Sequence, residues 1–343
     1  MTSPHGNLRA VGRRRALICG ISGQDGAYLA DLLLKRDYEV WGTSRDAQLS
    51  DFKNLARLGI RERVRTISMS PTDFRSVLQV IALAAPEEIY NLAGQASVGL
   101  SFDQPVETME SISGGILNLL EAVRFANPRI RIYNAGSGEC FGDSGHIADE
   151  QSPFRPKSPY GVAKAAAIWQ VATYREAYGL FACSGILFNH ESPLRPDRYV
   201  TRKIVSAACR IYRGSPETLA LGNIDIARDW GWAPDYVEAM WLMLQQREPQ
   251  DLVIATGQSM RLSEFVACVF AELGREWQDH VKVDQALHRP TEIMFSAGSP
   301  QKAAQVLGWH PRHVARDVAR LMVQCELTGN ARVAQTAAVA PSN

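Results

Sequence analysis

Near its start the chain carries three glycines at three-residue spacing, Gly20-Ile21-Ser22-Gly23-Gln24-Asp25-Gly26, between an apolar run and an amphipathic stretch. Residues 16–21 (ALICGI) have the continuous apolar character of a short buried strand. From about residue 26 to 35, Ala27, Leu29, Ala30, Leu32, Leu33 and Leu34 supply one apolar helical face. Glycines so placed permit a tight turn, a close approach of backbone to a pyrophosphate, and close packing of helix on strand. The anion then meets free N–H groups and the positive end of the helix dipole. This strand–turn–helix start predicts a dinucleotide-binding fold, with Gly20, Gly23, Gln24, Asp25 and Gly26 at the cofactor.

The same rhythm continues. Strands are expected at 38–42, 64–67, 88–92, 130–135 and 181–188, and helices at 73–84, 114–125 and 158–178. Strand alternating with helix is the signature of a parallel sheet covered on both faces, a Rossmann-type doubly wound α/β fold. Beyond residue 190 the alternation breaks, and the stretches 190–200, 215–230 and 280–300 read as loops. The expected organisation is a flexible start at 1–15, a dinucleotide-binding domain mainly at 16–190, a smaller α/β substrate lobe mainly at 191–326 with some return of chain to the first domain, and a disordered tail at 327–343.

With 343 residues, 46% hydrophobic and 21% charged, the chain can bury a sizeable core. A net charge of +1 gives no bulk attraction for nucleic acid or an anionic membrane, so any phosphate site is local. No stretch reaches 18 uninterrupted apolar residues, so neither membrane anchor nor secretory leader is expected and the location is expected to be cytoplasmic. The six cysteines show no Cys-x-x-Cys pair and no metal-ligand spacing, so reduced thiols and no metal are expected.

After the second strand comes Gly42-Thr43-Ser44-Arg45-Asp46. Ser44 and Arg45 are placed for a 2′-phosphate and favour NADP; Asp46 is what an NAD enzyme would use on the ribose. Farther on, Tyr160-Gly161-Val162-Ala163-Lys164 sets a phenol and an ammonium one helical turn apart, after a start signal in Ser158-Pro159. The ammonium is expected to lower the tyrosine pKa, so that Tyr160 takes a proton from a substrate hydroxyl as hydride leaves. Ser137, past the strand at 130–135, can hydrogen-bond the same hydroxyl. Glu139 adds a carboxylate, which an elimination next to a ketone needs as a base and a simple alcohol dehydrogenase does not.

At these motifs the chain resembles the GDP-mannose 4,6-dehydratases, extended short-chain dehydrogenases. The likeness runs from about Ala16 to Pro311, through GISGQDGAYLADLLL, NLAGQASVGLSF, the long SPYGVAKAAAIWQ segment, NHESP, YVTRKI, RDWG and HRPTEI. It implies Ser137, Glu139, Tyr160 and Lys164 as the catalytic set, and Leu92, Ala93, His190 and Arg195 beside the cofactor. It implies Ser97, Asn189, Lys203, Arg228, Arg289 and Glu292, with Glu139, around a GDP-sugar, and a homo-oligomer, dimer or tetramer. Two departures stand out. Ser70-Pro71-Thr72-Asp73 replaces the family's usual Asp-Leu-Thr-Asp pattern, and only Arg45 stands where the family carries an arginine-rich segment. Gly94, Ala96 and Ser97 suggest a roomier sugar pocket, which leaves the same dehydration of GDP-manno-heptose as an alternative; a GDP-4-keto-6-deoxy-sugar reductase on the same scaffold is another, against which Glu139 argues.

Overall fold

A computed structural model describes residues 13–288 and 290–330. The apolar run near the start becomes β1 (Arg15–Cys19), whose residues Ala16 to Cys19 are all fully buried. It leads through the glycine turn into α1 (Gln24–Lys35), then β2 (Glu39–Ser44), a short α2 (Lys53–Arg57) and β3 (Arg65–Ser68). Next come α3 (Phe74–Ala84) and β4 (Glu88–Asn91), α4 (Val98–Asp103), α5 (Pro105–Met109) and α6 (Gly115–Ala126), then β5 (Arg131–Ala135), α7 (Pro159–Tyr178) and β6 (Ala182–Leu187). Each expected strand and helix up to residue 188 is present, with ends displaced by one or two residues. The helices over 98–109 and the π turn at Glu110–Gly114 that joins them to α6 were not expected.

The remainder is more structured than its sequence suggested. It comprises β7 (Asn189–Glu191), α8 (Val200–Tyr212), β8 (Leu219–Leu221), β9 (Ala227–Arg228), β10 (Trp230–Trp232), α9 (Ala233–Gln245), β11 (Leu252–Ile254), β12 (Met260–Arg261), α10 (Leu262–Ala271), β13 (Val281–Val283), β14 (Phe295–Ser296), α11 (Gln301–Leu307) and α12 (Ala315–Thr328). The stretches 215–230 and 280–300, expected as loops, hold strands of two or three residues, too short to show a period of two. Leu327 and Thr328, placed by sequence in a disordered tail, close α12; residues 331–343 and 1–12 lie outside the described residues.

Seven strands form one wholly parallel sheet in the order β11-β6-β5-β4-β1-β2-β3. Alternate residues of β1 face opposite layers. Ala16 and Ile18 pack with Leu29 and Leu33 of α1 and Met240 of α9, while Leu17 and Cys19 pack with Val77 of α3, Leu119 of α6 and Val171 of α7. A separate core joins α8, α10 and α12 through Ile204, Phe265 and Met322. The order in which the chain adds strands reverses between β1 and β4, so the carboxyl ends of these strands open a crevice, where ligands of such sheets collect.

Candidate active site

The glycine turn has the steric signature of a phosphate cradle. Gly20 has φ +88°, and a Cβ there would lie 2.9 Å from the Leu92 carbonyl oxygen. A Cβ on Gly26 would lie 2.5 Å from the Gly20 oxygen. Gly23 begins α1 without a side-chain cap, so the first-turn N–H groups have no side-chain acceptor at that end. These residues fit a dinucleotide pyrophosphate. Leu92 and Ala93 follow β4 directly beside Gly20.

The side chain of Gln24, a residue expected at the cofactor, is engaged within the protein, while its backbone lies in the first turn of α1. Its Nε2 donates to the His190 carbonyl oxygen (3.2 Å) and to Asp25 Oδ1 (3.0 Å), and its Oε1 accepts from Ser192 Oγ (2.7 Å). At the end of β2, Ser44 Oγ donates to the Asp46 carbonyl oxygen at 3.4 Å. Arg45, its side chain 83% exposed, lies 3.6 Å from Glu107 of α5 and is not among the residues that line the cavity described next.

A cavity of about 440 Å³ lies over the carboxyl ends of the strands, and Ser137, Glu139, Tyr160 and Lys164 all line it. Ser137 follows β5 and caps a 3-10 turn, its Oγ accepting from the Glu139 N–H at 3.3 Å. This turn brings the Glu139 carboxylate to the same cavity as the tyrosine. Ser158 caps α7 by accepting from the Gly161 N–H (3.0 Å), with Pro159 in the first turn, as the sequence predicts. Tyr160 therefore sits at the head of the helix and Lys164 one turn in. Lys164 Nζ donates to the Ala135 carbonyl oxygen (2.7 Å).

The expected lowering of the tyrosine pKa is not what this arrangement produces. Burial pushes the Tyr160 phenol above its ordinary value, and the Ser137 hydrogen bond only partly opposes this. Burial also lowers Lys164 to about 8. The sequence pattern gives the spacing of the pair but not the desolvation that both share.

The same cavity gathers other expected residues. Asp25, Ser97, Asn189, His190, Arg195, Lys203, Arg228 and Glu292 all line it. Ser97 caps α4, accepting from the Leu100 N–H at 3.3 Å. Lys203 Nζ donates to the Ala220 carbonyl oxygen (2.7 Å). Arg228 is buried, with Nη2 3.3 Å from Glu292 Oε1, so two residues read separately as phosphate and ribose ligands form an ion pair. Arg289 lies outside the described residues.

Sequence reasoning missed Glu191, Tyr199 and Asp229. Buried Glu191 accepts from Thr201 Oγ1 (2.8 Å) and pairs with Arg195 Nε (3.2 Å), whose guanidinium lies 3.9 Å from the Tyr199 ring centroid. The Glu-x-x-x-Arg spacing was visible in the sequence. Fully buried Asp229 accepts from the N–H groups of Thr256 and Gly257 and from Thr256 Oγ1 (2.7 Å), fixing the segment that carries Arg228 to the loop after β11. No local signal predicts that contact. Among the described residues no group of three or more His, Cys, Asp and Glu side chains is placed to hold a metal.

Comparison with known proteins agrees with this geometry. The family model described as GDP-mannose 4,6 dehydratase matches residues 17–322. GDP-mannose 4,6 dehydratase 1 of Arabidopsis thaliana is 43% identical over 325 residues, covering 92% of this chain and 90% of that protein. The human GDP-mannose 4,6 dehydratase is 41% identical over 341 residues, covering 92% of each chain. Among solved structures, the UDP-glucose 4-epimerase of Thermus thermophilus in complex with NAD superposes with a TM-score of 0.79 at 28% identity, covering 91% of this chain and 99% of that one. A family match over nearly the whole described fold, joined to a cavity that holds a serine, a glutamate and a Tyr–Lys pair, places this chain in the GDP-mannose 4,6-dehydratase family.

Proposed function

We propose that the protein converts GDP-mannose to GDP-4-keto-6-deoxy-mannose and water. The observation that carries the reading is Glu139, a carboxylate brought by the turn after β5 into the cavity that holds Tyr160 and Lys164. A nicotinamide dinucleotide, when bound, supplies a hydride acceptor that is restored within the same turnover.

Tyr160 takes the proton of the C4 hydroxyl, and Ser137 orients that hydroxyl. Lys164, held by the Ala135 carbonyl, places a positive charge near the phenol and favours its ionised form. With a ketone at C4 the C5 proton is acidic, and Glu139 removes it. Protonated Glu139 then gives its proton to the departing C6 hydroxyl, so the carboxylate is regenerated and one water leaves; the solvent-exchangeable proton that Tyr160 took from the C4 hydroxyl is passed on to C5, which returns the phenol to its starting state. Arg228, with Lys203, is assigned to the diphosphate, where a planar guanidinium can bind oxygens bidentately; Glu292 is assigned to ribose hydroxyls and Ser97 and Asn189 to the sugar end.

The glycine cradle, Leu92, Ala93, His190 and Arg195 are assigned to the dinucleotide. Ser44 and Arg45 favour NADP over NAD. A homo-oligomer is supported by exposed apolar side chains on adjoining helices, Val106 of α5 and Val162 and Trp169 of α7. None of the six cysteines forms a disulfide, which suits a reducing cytoplasm.

The test is to incubate the purified protein with GDP-mannose, with and without added NADP or NAD, and to follow product mass. Loss of one water, abolished in Tyr160→Phe and Glu139→Gln, supports the reading. No mass change in cofactor-loaded protein, or water lost only from GDP-manno-heptose, overturns the assigned substrate.

A further inference from the structure

His190, the middle residue of β7, is buried at the edge of the cavity with an acceptor at each ring nitrogen. Nδ1 lies 2.8 Å from the Phe188 carbonyl oxygen and Nε2 2.9 Å from Asp25 Oδ2. A carbonyl can only accept, and a carboxylate can only accept. A neutral imidazole would turn one lone pair toward an oxygen, whereas a ring protonated at both nitrogens would donate to both acceptors. The other Asp25 oxygen takes a hydrogen bond from Gln24 Nε2 at 3.0 Å.

The charges around this pair have opposite effects. Burial disfavours the charged ring, and Arg195, in the loop after β7, repels it. Asp25 outweighs both through its charge and its hydrogen bond, and His190 is raised above its ordinary value. Burial alone would raise Asp25, but the charges of His190 and Arg195 and the hydrogen bonds from His190 and Gln24 bring it down to about 2. From α9 the Tyr236 ring stacks on the imidazole, with centroids 4.5 Å apart. Lys164 of α7 and Tyr133 of β5 also feel the Asp25 charge.

Asp25 occupies the first turn of α1, in the cradle that fits a pyrophosphate. A bare carboxylate there would repel the phosphates. We propose that Asp25 is a positioning residue that holds His190 doubly protonated, so that the two present a neutral pair to the dinucleotide and its retention is insensitive to pH near neutrality. This rests on the assignment of the cavity to a nicotinamide dinucleotide. It departs from the reading of Asp25 as a cofactor ligand in its own right, because its role is exerted through His190.

The charge arithmetic gives a test that packing alone does not reproduce. Binding of NADP and of NAD to the full-length protein, freed of nucleotide, would be measured calorimetrically from pH 6 to 9. His190→Gln leaves the carboxylate uncompensated and is expected to weaken binding by about tenfold or more, whereas Asp25→Asn/His190→Gln regains most of that loss. In Asp25→Asn, with burial and Arg195 left unopposed, the histidine is expected to deprotonate below its ordinary value, so in a series extended down to about pH 5 affinity should fall with rising pH while the wild type stays flat. Losses that simply add in the double variant, or an Asp25→Asn profile as flat as the wild type, would overturn the proposal. Independently of any ligand or variant, nitrogen-15 spectra of the wild-type histidines should show His190 protonated at both nitrogens at pH 8; a neutral tautomer there would also overturn it. Failure of the wild type to bind either dinucleotide would instead overturn the cofactor assignment, with the spectra still deciding the state of the pair.

Discussion

The ammonium of Lys164 lies 5.8 Å from the ring centroid of Tyr160 and only 2.7 Å from the carbonyl oxygen of Ala135. The lysine is thus tied to the end of β5, and the sheet and the helix hold the reactive pair together. Lys164 is buried and Tyr160 partly so, and desolvation biases each toward its neutral form.

This gives a pH prediction. Lys164, lowered to about 8, sheds its proton as pH rises through that value, and turnover should fall with an apparent pKa of about 8 as the charge supporting the tyrosinate disappears. Stability should move the opposite way. A lysine depressed in the folded state from 10.5 is penalised while both states are protonated, and that penalty is relieved between pH 8 and 10.5. Relative to Lys164→Met, the wild type should gain up to about 3 kcal/mol across that window, read from denaturant unfolding at stepped pH. A constant difference between the two proteins would contradict the burial argument.

Glu139→Gln should keep the fold and the nucleotide while losing turnover by a factor of about 10² to 10⁴, the usual worth of a placed acid–base group. Reaction in deuterium oxide gives a second readout. Wild-type product should carry solvent deuterium at C5, and the variant should wash in none.

Gly26→Ala places a methyl group 2.5 Å from the Gly20 oxygen and 2.8 Å from the Ile21 Cα, both backbone atoms that cannot step aside. The expected cost is about 1–3 kcal/mol of stability. Cofactor affinity should fall further, because the turn must open where the pyrophosphate sits. Thermal melting with and without added NADP separates the two losses.

Arg228→Met removes the partner of Glu292 in a buried setting. Losing a charge-assisted guanidinium contact to the diphosphate should raise KM for the nucleotide sugar about tenfold or more, and loss of the ion pair with Glu292 should lower stability as well. The effect on kcat should be much smaller, since Arg228 is assigned to the diphosphate. A fall in kcat at unchanged KM would move Arg228 to the reacting end of the cavity.

The first half of the fold was legible because its signals are local and long. The strand–turn–helix around Gly20 to Gly26 and the Ser158-Pro159 start of α7 depend on neighbours within a few residues. The second half was not, since β8, β9, β13 and β14 are two or three residues long and are held by partners far along the chain. Ala227–Arg228, for instance, pairs with Met260–Arg261 on one side and Phe295–Ser296 on the other.

The sequence by itself determined the glycine cradle, the one-turn spacing of Tyr160 and Lys164, and, with the family likeness, the chemistry these imply, because helix and turn geometry convert local spacing directly into position. Only the tertiary structure decided that Asp25 and His190, 165 positions apart, meet at 2.9 Å, that Arg228 pairs with Glu292, and that burial raises the tyrosine pKa the lysine was expected to lower. Charge and desolvation depend on what surrounds a group in space, and that is settled only when distant segments pack.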